Sequence, residues 1–194
     1  YLLTVKVGNR DMNLFEKFWA EHSDDVEIVN TPDLLQGLTD TEDRCLAKNE
    51  MIDSQSQAQL AAAEAIGLNV ADVKRSVVVL RLSKGMPAEK VLDVCDVITE
   101  IDGNPINSPE DVTKYVKAHQ TGDMAEITVN RDGTMATLEV RVAEITEKDG
   151  SKRPGIGIVP IGVIQPDSLP LGVDINSQNV TGPSGGLGFT LEIV

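Results

Sequence analysis

The chain has 194 residues, and 17 Lys and Arg against 31 Asp and Glu give a formal net charge of −14. Its hydrophobic share of 41% and charged share of 25% are typical of a folded globular chain, with a length that fits one domain or two small ones. The acidity argues against a nucleic-acid partner and against docking on anionic lipid, because both need clustered Lys and Arg.

Strands are predicted where apolar and β-branched residues run together, at residues 1–7, 26–29, 76–82, 97–101, 127–130, 137–142 and 173–175. Helices are predicted at residues 14–19, at 53–66 with Asp53 or Ser54 as the cap, and from Ser108 with Pro109 at its first position. The pairs Asp102-Gly103 and Asp132-Gly133 predict tight turns. Residues 34–49 are polar and remain unassigned, residues 144–153 read as a connector, and residues 154–164 form an apolar stretch interrupted by Gly and Pro.

Two cysteines, Cys45 and Cys95, show no CxxC or Cys/His spacing, so we expect two lone thiols rather than a disulfide framework or a zinc site. A single bridge between them stays open, because sequence spacing does not reveal the Cα geometry that it needs. The acidic groups at residues 40–43 and 147–149 lack the spaced oxygen ligands of a calcium loop. We therefore expect no metal and no cofactor.

No apolar run of about 18 residues is present to span a membrane, and no signal peptide is visible. The chain begins at Tyr1, without Met, directly in a strand-like run. We interpret it as a fragment from which an anchor or a leader has been removed.

A set of landmarks follows in order between about residues 76 and 145: Gly85-Met86-Pro87-Ala88, Leu92, Asp96-Val97-Ile98, Ile101-Asp102-Gly103, the Ser108 helix and the hairpin at residues 128–133. These residues and their spacing resemble a bacterial PDZ domain. The resemblance implies a β-sandwich or barrel with two helices. One residue departs from the family pattern, since Cys95 stands where PDZ domains usually have Gly. We expect this cysteine to strain or reshape its turn.

A PDZ domain binds an extended peptide C-terminus by adding it as a strand to a sheet edge, with the carboxylate on the amides of a Gly-containing loop. Residues Ile66, Gly67, Leu68 and Asn69 precede the strand at 76–82 and are the candidate peptide-binding loop. The same four residues follow a strong predicted helix, so a helix C-cap is the alternative.

The segment at residues 179–193 contains Gly182-Pro183-Ser184-Gly185-Gly186 followed by an apolar run. It resembles the nucleophile segment of Lon-like Ser–Lys proteases. The resemblance implies that Ser184 is the nucleophile at the start of a buried helix, with Gly182, Pro183 and Gly185 near the oxyanion and the substrate backbone. The opening strand and the helix at 53–66 also resemble early elements of a Lon-like domain, and no Walker motif accompanies them.

The Lon-like families need a Lys general base some tens of residues after the serine. No Lys follows Ser184 in this sequence. We therefore expect this chain, as it stands, to be an inactive part of an ATP-independent serine endopeptidase. A Lys-bearing helix encoded after Val194 would favour the enzyme, and a stop codon would favour the alternative, a non-catalytic PDZ peptide-binding or scaffold protein.

Two other interpretations stay open. Gly186-Leu187-Gly188-Phe189 also spells the carboxylate loop of a second or permuted PDZ unit. A trypsin-like protease with a PDZ domain needs a His and an Asp placed with the serine, whereas His22 and His119 each lie among polar residues.

The resemblances together imply an α+β fold in three parts. Residues 1–75 begin an incomplete Lon-like proteolytic domain, residues 76–145 form an inserted PDZ-like domain, and residues 146–194 continue the Lon-like domain up to the nucleophile helix. They also imply protein or peptide substrates and a homo-oligomer in the intact protein, and the acidity predicts no nucleic-acid partner. The implied location is bacterial and extracytoplasmic, with a membrane anchor outside this chain.

Overall fold

The computed structural model describes residues 17–18, 37–147 and 149–172. Lys17 and Phe18 are helical, in agreement with the helix predicted at 14–19. The predicted strands at 1–7, 26–29 and 173–175 lie outside the described residues, and so does the nucleophile segment with Gly182, Pro183, Ser184 and Gly185.

The first long element is helix α1, Asp40–Ala65. It begins well before Asp53, so the predicted start is wrong. The N-cap is Thr39, whose side chain accepts the Glu42 amide while the Glu42 carboxylate accepts the Thr39 amide at 2.7 Å. This reciprocal capping box is readable as Thr-x-x-Glu, but the following polar stretch has no apolar periodicity to draw attention to it.

The main sheet contains six strands, and five of them lie in the order β5-β4-β2-β1-β8, with the short β3 paired to β2. The strands are β1 (Arg75–Leu82), β2 (Val97–Ile101), β3 (Asn104–Pro105), β4 (Met124–Arg131), β5 (Thr134–Arg141) and β8 (Ile158–Ile164). A separate antiparallel pair joins β6 (Ala143–Thr146) to β7 (Lys152–Gly155). Helix α2 spans Pro109–Lys117, and short 3-10 turns lie at Pro87–Lys90 and Pro166–Ser168.

The two predicted Asp-Gly turns are confirmed. Asp102 and Gly103 have φ of 51° and 70° between β2 and β3, and Asp132 and Gly133 have φ of 49° and 86° between β4 and β5. Both residues of each pair therefore lie in the left-handed region that a two-residue hairpin loop requires.

The sheet buries side chains on both of its faces. One face packs on α2 and the 3-10 turn around a core that includes Val77, Ile98, Ile127, Val112 and Val116. The opposite face of β1 and β8 packs on α1 through Val78, Val163 and Cys45. Strand β8 thus lies between two helices, with α1 on one face and α2 on the other.

Cys45 and Cys95 form a disulfide, so the expectation of two lone thiols is wrong. Their Cα atoms are 5.7 Å apart, within the range that a disulfide bridges. The bond fastens α1 to the turn before β2. Cys95 has φ of 75°, which confirms the expected strain at the position where PDZ domains usually carry Gly.

Charged side chains hold the turn at Cys95 from its other side. The buried Asp96 carboxylate accepts two hydrogen bonds from Arg131, at 2.7 Å and 2.6 Å, and a third from the Asp93 amide. The hydrogen bond to Asp96 raises the pKa of Arg131. A charged pair with this geometry fixes the backbone of the loop that leads into β2.

Strand β8 extends the PDZ-like sheet beyond the boundary predicted at residue 145. It pairs antiparallel with β1 from Arg75↔Ile164 to Leu82↔Ile158. The Gly- and Pro-interrupted stretch at 154–164 therefore supplies the last strand of this sheet. The predicted division of the whole chain into three parts stays a prediction, since residues 1–16, 19–36 and 173–194 lie outside the described ranges.

Candidate peptide-binding edge

The connection between β7 and β8 is held by hydrogen bonds from two other parts of the chain. We call residues 155–158, Gly-Ile-Gly-Ile, the glycine loop. The carbonyl of Ile156 accepts the Ala88 amide at 3.1 Å, and the carbonyl of Gly157 accepts the Ser83 amide at 2.8 Å. In a trans peptide the next amide points opposite to the carbonyl. The amides of Gly157 and Ile158 therefore point away from these partners, and the Ile158 amide points away from β1.

Glycine is required at Gly157 for two reasons. Its φ is +87°, in the region that L residues rarely adopt, and a Cβ there would overlap Cβ and Cγ of Met86. A Cβ on Gly155 would likewise overlap the side chain of Ile145. The loop therefore lies closely against its neighbours, and this packing keeps its amides in one orientation.

The outer edge of β8 continues this hydrogen-bonding pattern. The Ile164 amide donates to the Asp53 carboxylate at 3.0 Å, on the side away from β1. Bonding and non-bonding pairs alternate along an antiparallel ladder. The outward-facing backbone groups are therefore those of Ile158, Pro160 and Gly162, while the outward amide of Ile164 is already engaged. Among the described residues, no strand pairs with this edge.

Helix α2 forms one wall beside this edge. Its N-cap Ser108 accepts the Asp111 amide, and the Asp111 carboxylate accepts the amides of Asn107 and Ser108 at 3.0 Å each. The bond from Asn107 is the main cause that lowers the pKa of Asp111. The lowered pKa keeps the Asp111 carboxylate ionised at neutral pH, which is the form that accepts both amides.

Between α2 and β8 lies a groove of about 360 Å³, lined by Pro109, Glu110, Thr113 and Pro160. A Cβ on Gly162 would approach Pro109 Cδ at 3.4 Å, so the N-terminus of α2 lies close to β8. Thr113 and Glu110 are exposed on the groove side, while Val112 and Val116 are buried in the core. The helix thus anchors on its apolar side and presents polar side chains to the groove.

Of the site residues predicted from the sequence, the four at Ile66–Asn69 fall within the described ranges. The amides of Ile66, Gly67 and Leu68 donate to carbonyls at the end of α1, and Gly67 has φ of 80°. These hydrogen bonds are those of a helix C-cap, which is the alternative interpretation of the four residues. The use of these residues as a carboxylate loop stays a prediction, and the engaged amides weigh against it.

Sequence reasoning missed the glycine loop. The loop predicted from the sequence, at residues 66–69, lies upstream of β1 instead. The available signal was the Gly-Ile-Gly-Ile alternation at 155–158, followed at once by a strand with Pro160 and Gly162. Pro inside a strand is typical of a sheet edge.

Neither a membrane span nor a metal cluster is found in the ranges that the structure describes. No helix there is both long and apolar enough to cross a bilayer. No group of three or more His, Cys, Asp and Glu side chains there is arranged to hold a metal ion.

Comparison with known proteins covers the part of the sheet before the glycine loop and β8, including helix α2. Residues 64–142 match the PDZ domain family. A probable periplasmic serine endoprotease, DegP-like, from Rhizobium meliloti (strain 1021) is 28% identical over 136 residues, which is 68% of this chain and 25% of that protein. The chain thus spans about a quarter of the length of this curated relative.

Two solved structures of PDZ domains from SdrC-like proteins are also similar to this chain. The domain from Listeria monocytogenes is 30% identical, covers 44% of this chain and 86% of its own, and has a TM-score of 0.39. The domain from Listeria innocua is 29% identical, covers 44% and 92%, and also has a TM-score of 0.39. The match to the family, together with the order of landmarks from Gly85 to the hairpin at 128–133, shows that the chain contains a PDZ domain.

Proposed function

We propose that this PDZ domain binds the extended C-terminus of a protein or peptide along the outer edge of β8. The observation that carries the proposal is the orientation of the Gly157 and Ile158 amides, which point away from Ala88 and Ser83. Adjacent backbone N–H groups in a Gly-containing loop are the donors that a terminal carboxylate needs. The strand that follows them offers further backbone groups in the same direction.

The register follows from antiparallel addition. The last ligand residue lies opposite Ile158, the third-last opposite Pro160 and the fifth-last opposite Gly162. Pro160 has no N–H, so at the third-last position the strand accepts a hydrogen bond but donates none. Beyond Gly162 the Ile164 amide is held by Asp53. The edge therefore recognises a short terminus of about five residues.

The test uses peptides with and without a terminal carboxylate. Decapeptides randomised in their last five residues are added to the isotopically labelled chain, as free acids and as C-terminal amides, and amide chemical shifts are followed by NMR. We expect the free acids to shift the signals of Gly157, Ile158 and Gly162, with the amides binding at least about tenfold more weakly, because a charge-assisted hydrogen bond is lost. Equal binding of acid and amide contradicts the proposal. Shifts confined to residues 66–68 would transfer the site to the loop predicted from the sequence.

We further propose that the domain serves an extracytoplasmic serine protease. The weak similarity to a periplasmic DegP-like serine endoprotease supports a protease-associated PDZ domain. The disulfide between Cys45 and Cys95 supports an oxidising compartment, because disulfides persist there and are rare in the cytosol.

The finer assignment to the Lon-like Ser–Lys class rests on residues 182–186 and is part of this proposal. Ser184 would attack the scissile carbonyl, and backbone N–H groups around Gly182 and Ser184 would stabilise the oxyanion. The deprotonating Lys is absent from the residues that follow Ser184 here. Membrane anchoring and assembly into a homo-oligomer belong to the same resemblance and stay predictions.

A protease assay tests the missing-base part of this proposal. Incubated with β-casein, the chain and its Ser184→Ala variant are both expected to release no peptides, because the hydroxyl of Ser184 lacks a Lys to take its proton. Fragments are resolved by mass spectrometry. Cleavage by the parent chain that the Ser184→Ala variant has lost would show that this chain already holds a general base.

A further inference from the structure

A second cavity borders the peptide-binding edge on the face of β8 opposite to α2. It has a volume of about 670 Å³ and lies between α1 and β8. Leu46 and Ala58 contribute apolar surface from α1, and Ile161 and Val163 contribute it from β8. Most of α1 precedes residue 64, where the match to the PDZ family begins. This wall is therefore an addition by this chain to the matched unit.

The alternation of side chains along a strand decides which ligand residues face this cavity. Pro160 lines the groove on the α2 side, whereas Ile161 and Val163 pack on the α1 side. Residues directly opposite each other in a sheet point to the same face. The last, third-last and fifth-last ligand side chains therefore point toward α2. The fourth-last, opposite Ile161, and the sixth-last, opposite Val163, point toward α1 and into the cavity.

The charged side chains that line this cavity are all acidic. Glu50 and Asp53 line it, one helical turn apart on α1, and no Lys or Arg is among the residues that line it. Asp53 also accepts the Ile164 amide and so fixes a carboxylate beside the end of the ligand ladder. A cationic side chain that reaches this space from the ligand strand meets both the apolar wall for its stem and carboxylates for its head.

We propose that the cavity between α1 and β8 is a second recognition subsite, which selects Lys or Arg at the fourth-last residue of the bound C-terminus. The inference rests on the proposed peptide-binding function and extends it to a ligand class, C-termini with a basic residue at that position. The apolar stem lies along Ile161 and Leu46, and the cation lies between Glu50 and Asp53. The fourth-last side chain of the ligand thus enters the cavity beside α1, whereas the groove beside α2 receives the last, third-last and fifth-last side chains.

The experiment compares two peptide pools on the full chain by fluorescence anisotropy at low ionic strength. Both are fluorescein-labelled decapeptides with free C-termini, randomised at the other terminal positions, with the fourth-last residue fixed as Lys in one pool and as Glu in the other. We expect the Lys pool to bind about fivefold more tightly, the size of a partly exposed ion pair. In the Glu50→Gln variant the ratio should fall to less than about twofold. The matched variant Glu139→Gln removes the same charge from β5, at the opposite edge of the sheet, and should keep the ratio.

The outcomes separate the subsite from the function on which it rests. If neither pool binds, the proposed peptide-binding function fails, and the subsite fails with it. If both pools bind equally, the function stands and the subsite is overturned. A cavity already filled by another segment of this chain or by a second copy gives this equal binding. A ratio that stays near fivefold in Glu50→Gln places the selectivity elsewhere and also overturns the proposal. A fixed Lys at the third-last position should be insensitive to Glu50→Gln, because that residue faces α2.

Discussion

Replacing Gly157 with Ala is expected to lower the free energy of unfolding by about 3 kcal/mol and to weaken binding of free C-termini. Two effects add at this position. An L residue is strained at φ of +87°, and the new Cβ would overlap the Met86 side chain, which must move together with the loop that carries it. The amides of Gly157 and Ile158 would then no longer be held pointing away from Ala88 and Ser83. Urea denaturation followed by circular dichroism measures the first effect, and the peptide titration measures the second.

The matched control is Gly85→Ala. Gly85 has φ of +78°, and nothing lies within 4 Å of a Cβ built there. Only the backbone strain remains, so the loss should be about 1 kcal/mol. Equal losses at the two positions would mean that the contact with Met86 relaxes without cost and that the glycine loop is not held in place by packing.

The elements of the PDZ domain that the sequence predicted well are those specified by local chemistry. The pairs Asp102-Gly103 and Asp132-Gly133 predict their turns because few other residue pairs adopt positive φ so readily. The Ser108-Pro109 pair predicts the start of α2 because the serine caps the helix and the proline fits its first turn. Each of these signals lies within four residues of the structure that it specifies.

The features that escaped prediction depend on residues far apart in the chain. Strand β8 joins β1 across about 80 residues, from Arg75↔Ile164 to Leu82↔Ile158, and nothing local reports that pairing. The disulfide between Cys45 and Cys95 likewise depends on the packing of α1 against the sheet. An apolar stretch with Gly and Pro at 154–164 fits a strand or a loop until its partner is known.

The carboxylate loop predicted at residues 66–69 and the one proposed at residues 155–158 differ for a physical reason. The prediction from the sequence places this loop upstream of the strand at 76–82, at residues 66–69. In the structure β1 is flanked by β2 and β8, so both of its edges are occupied. Strand β8 lies at one edge of the sheet, with β5 at the other, and the loop that precedes β8 is the glycine loop. The candidate site therefore followed from sheet order rather than from any motif by itself.

The disulfide is expected to contribute about 4 kcal/mol to stability, because it closes a loop with a sequence separation of 50 residues and so restricts the unfolded chain. The double variant Cys45→Ala/Cys95→Ser removes the bond, and Ala suits the buried position of Cys45. Its urea midpoint should fall accordingly. The parent chain with its disulfide reduced should show a loss of similar size. Reduction should also expose the amides at the N-terminal half of α1 to faster hydrogen exchange, because the bond fastens that part of the helix to the turn before β2.

A second double variant separates the loss of the bond from the strain at Cys95. In Cys45→Ala/Cys95→Gly the residue with φ of 75° becomes the one that tolerates this conformation. It should therefore be about 1 kcal/mol more stable than Cys45→Ala/Cys95→Ser, although neither variant has a bridge. Equal stability of the two would show that the turn relaxes to negative φ once the disulfide is gone, and that the bond itself imposes the left-handed backbone. If reduction left the urea midpoint of the parent chain unchanged, that result would contradict any stabilising role of the disulfide.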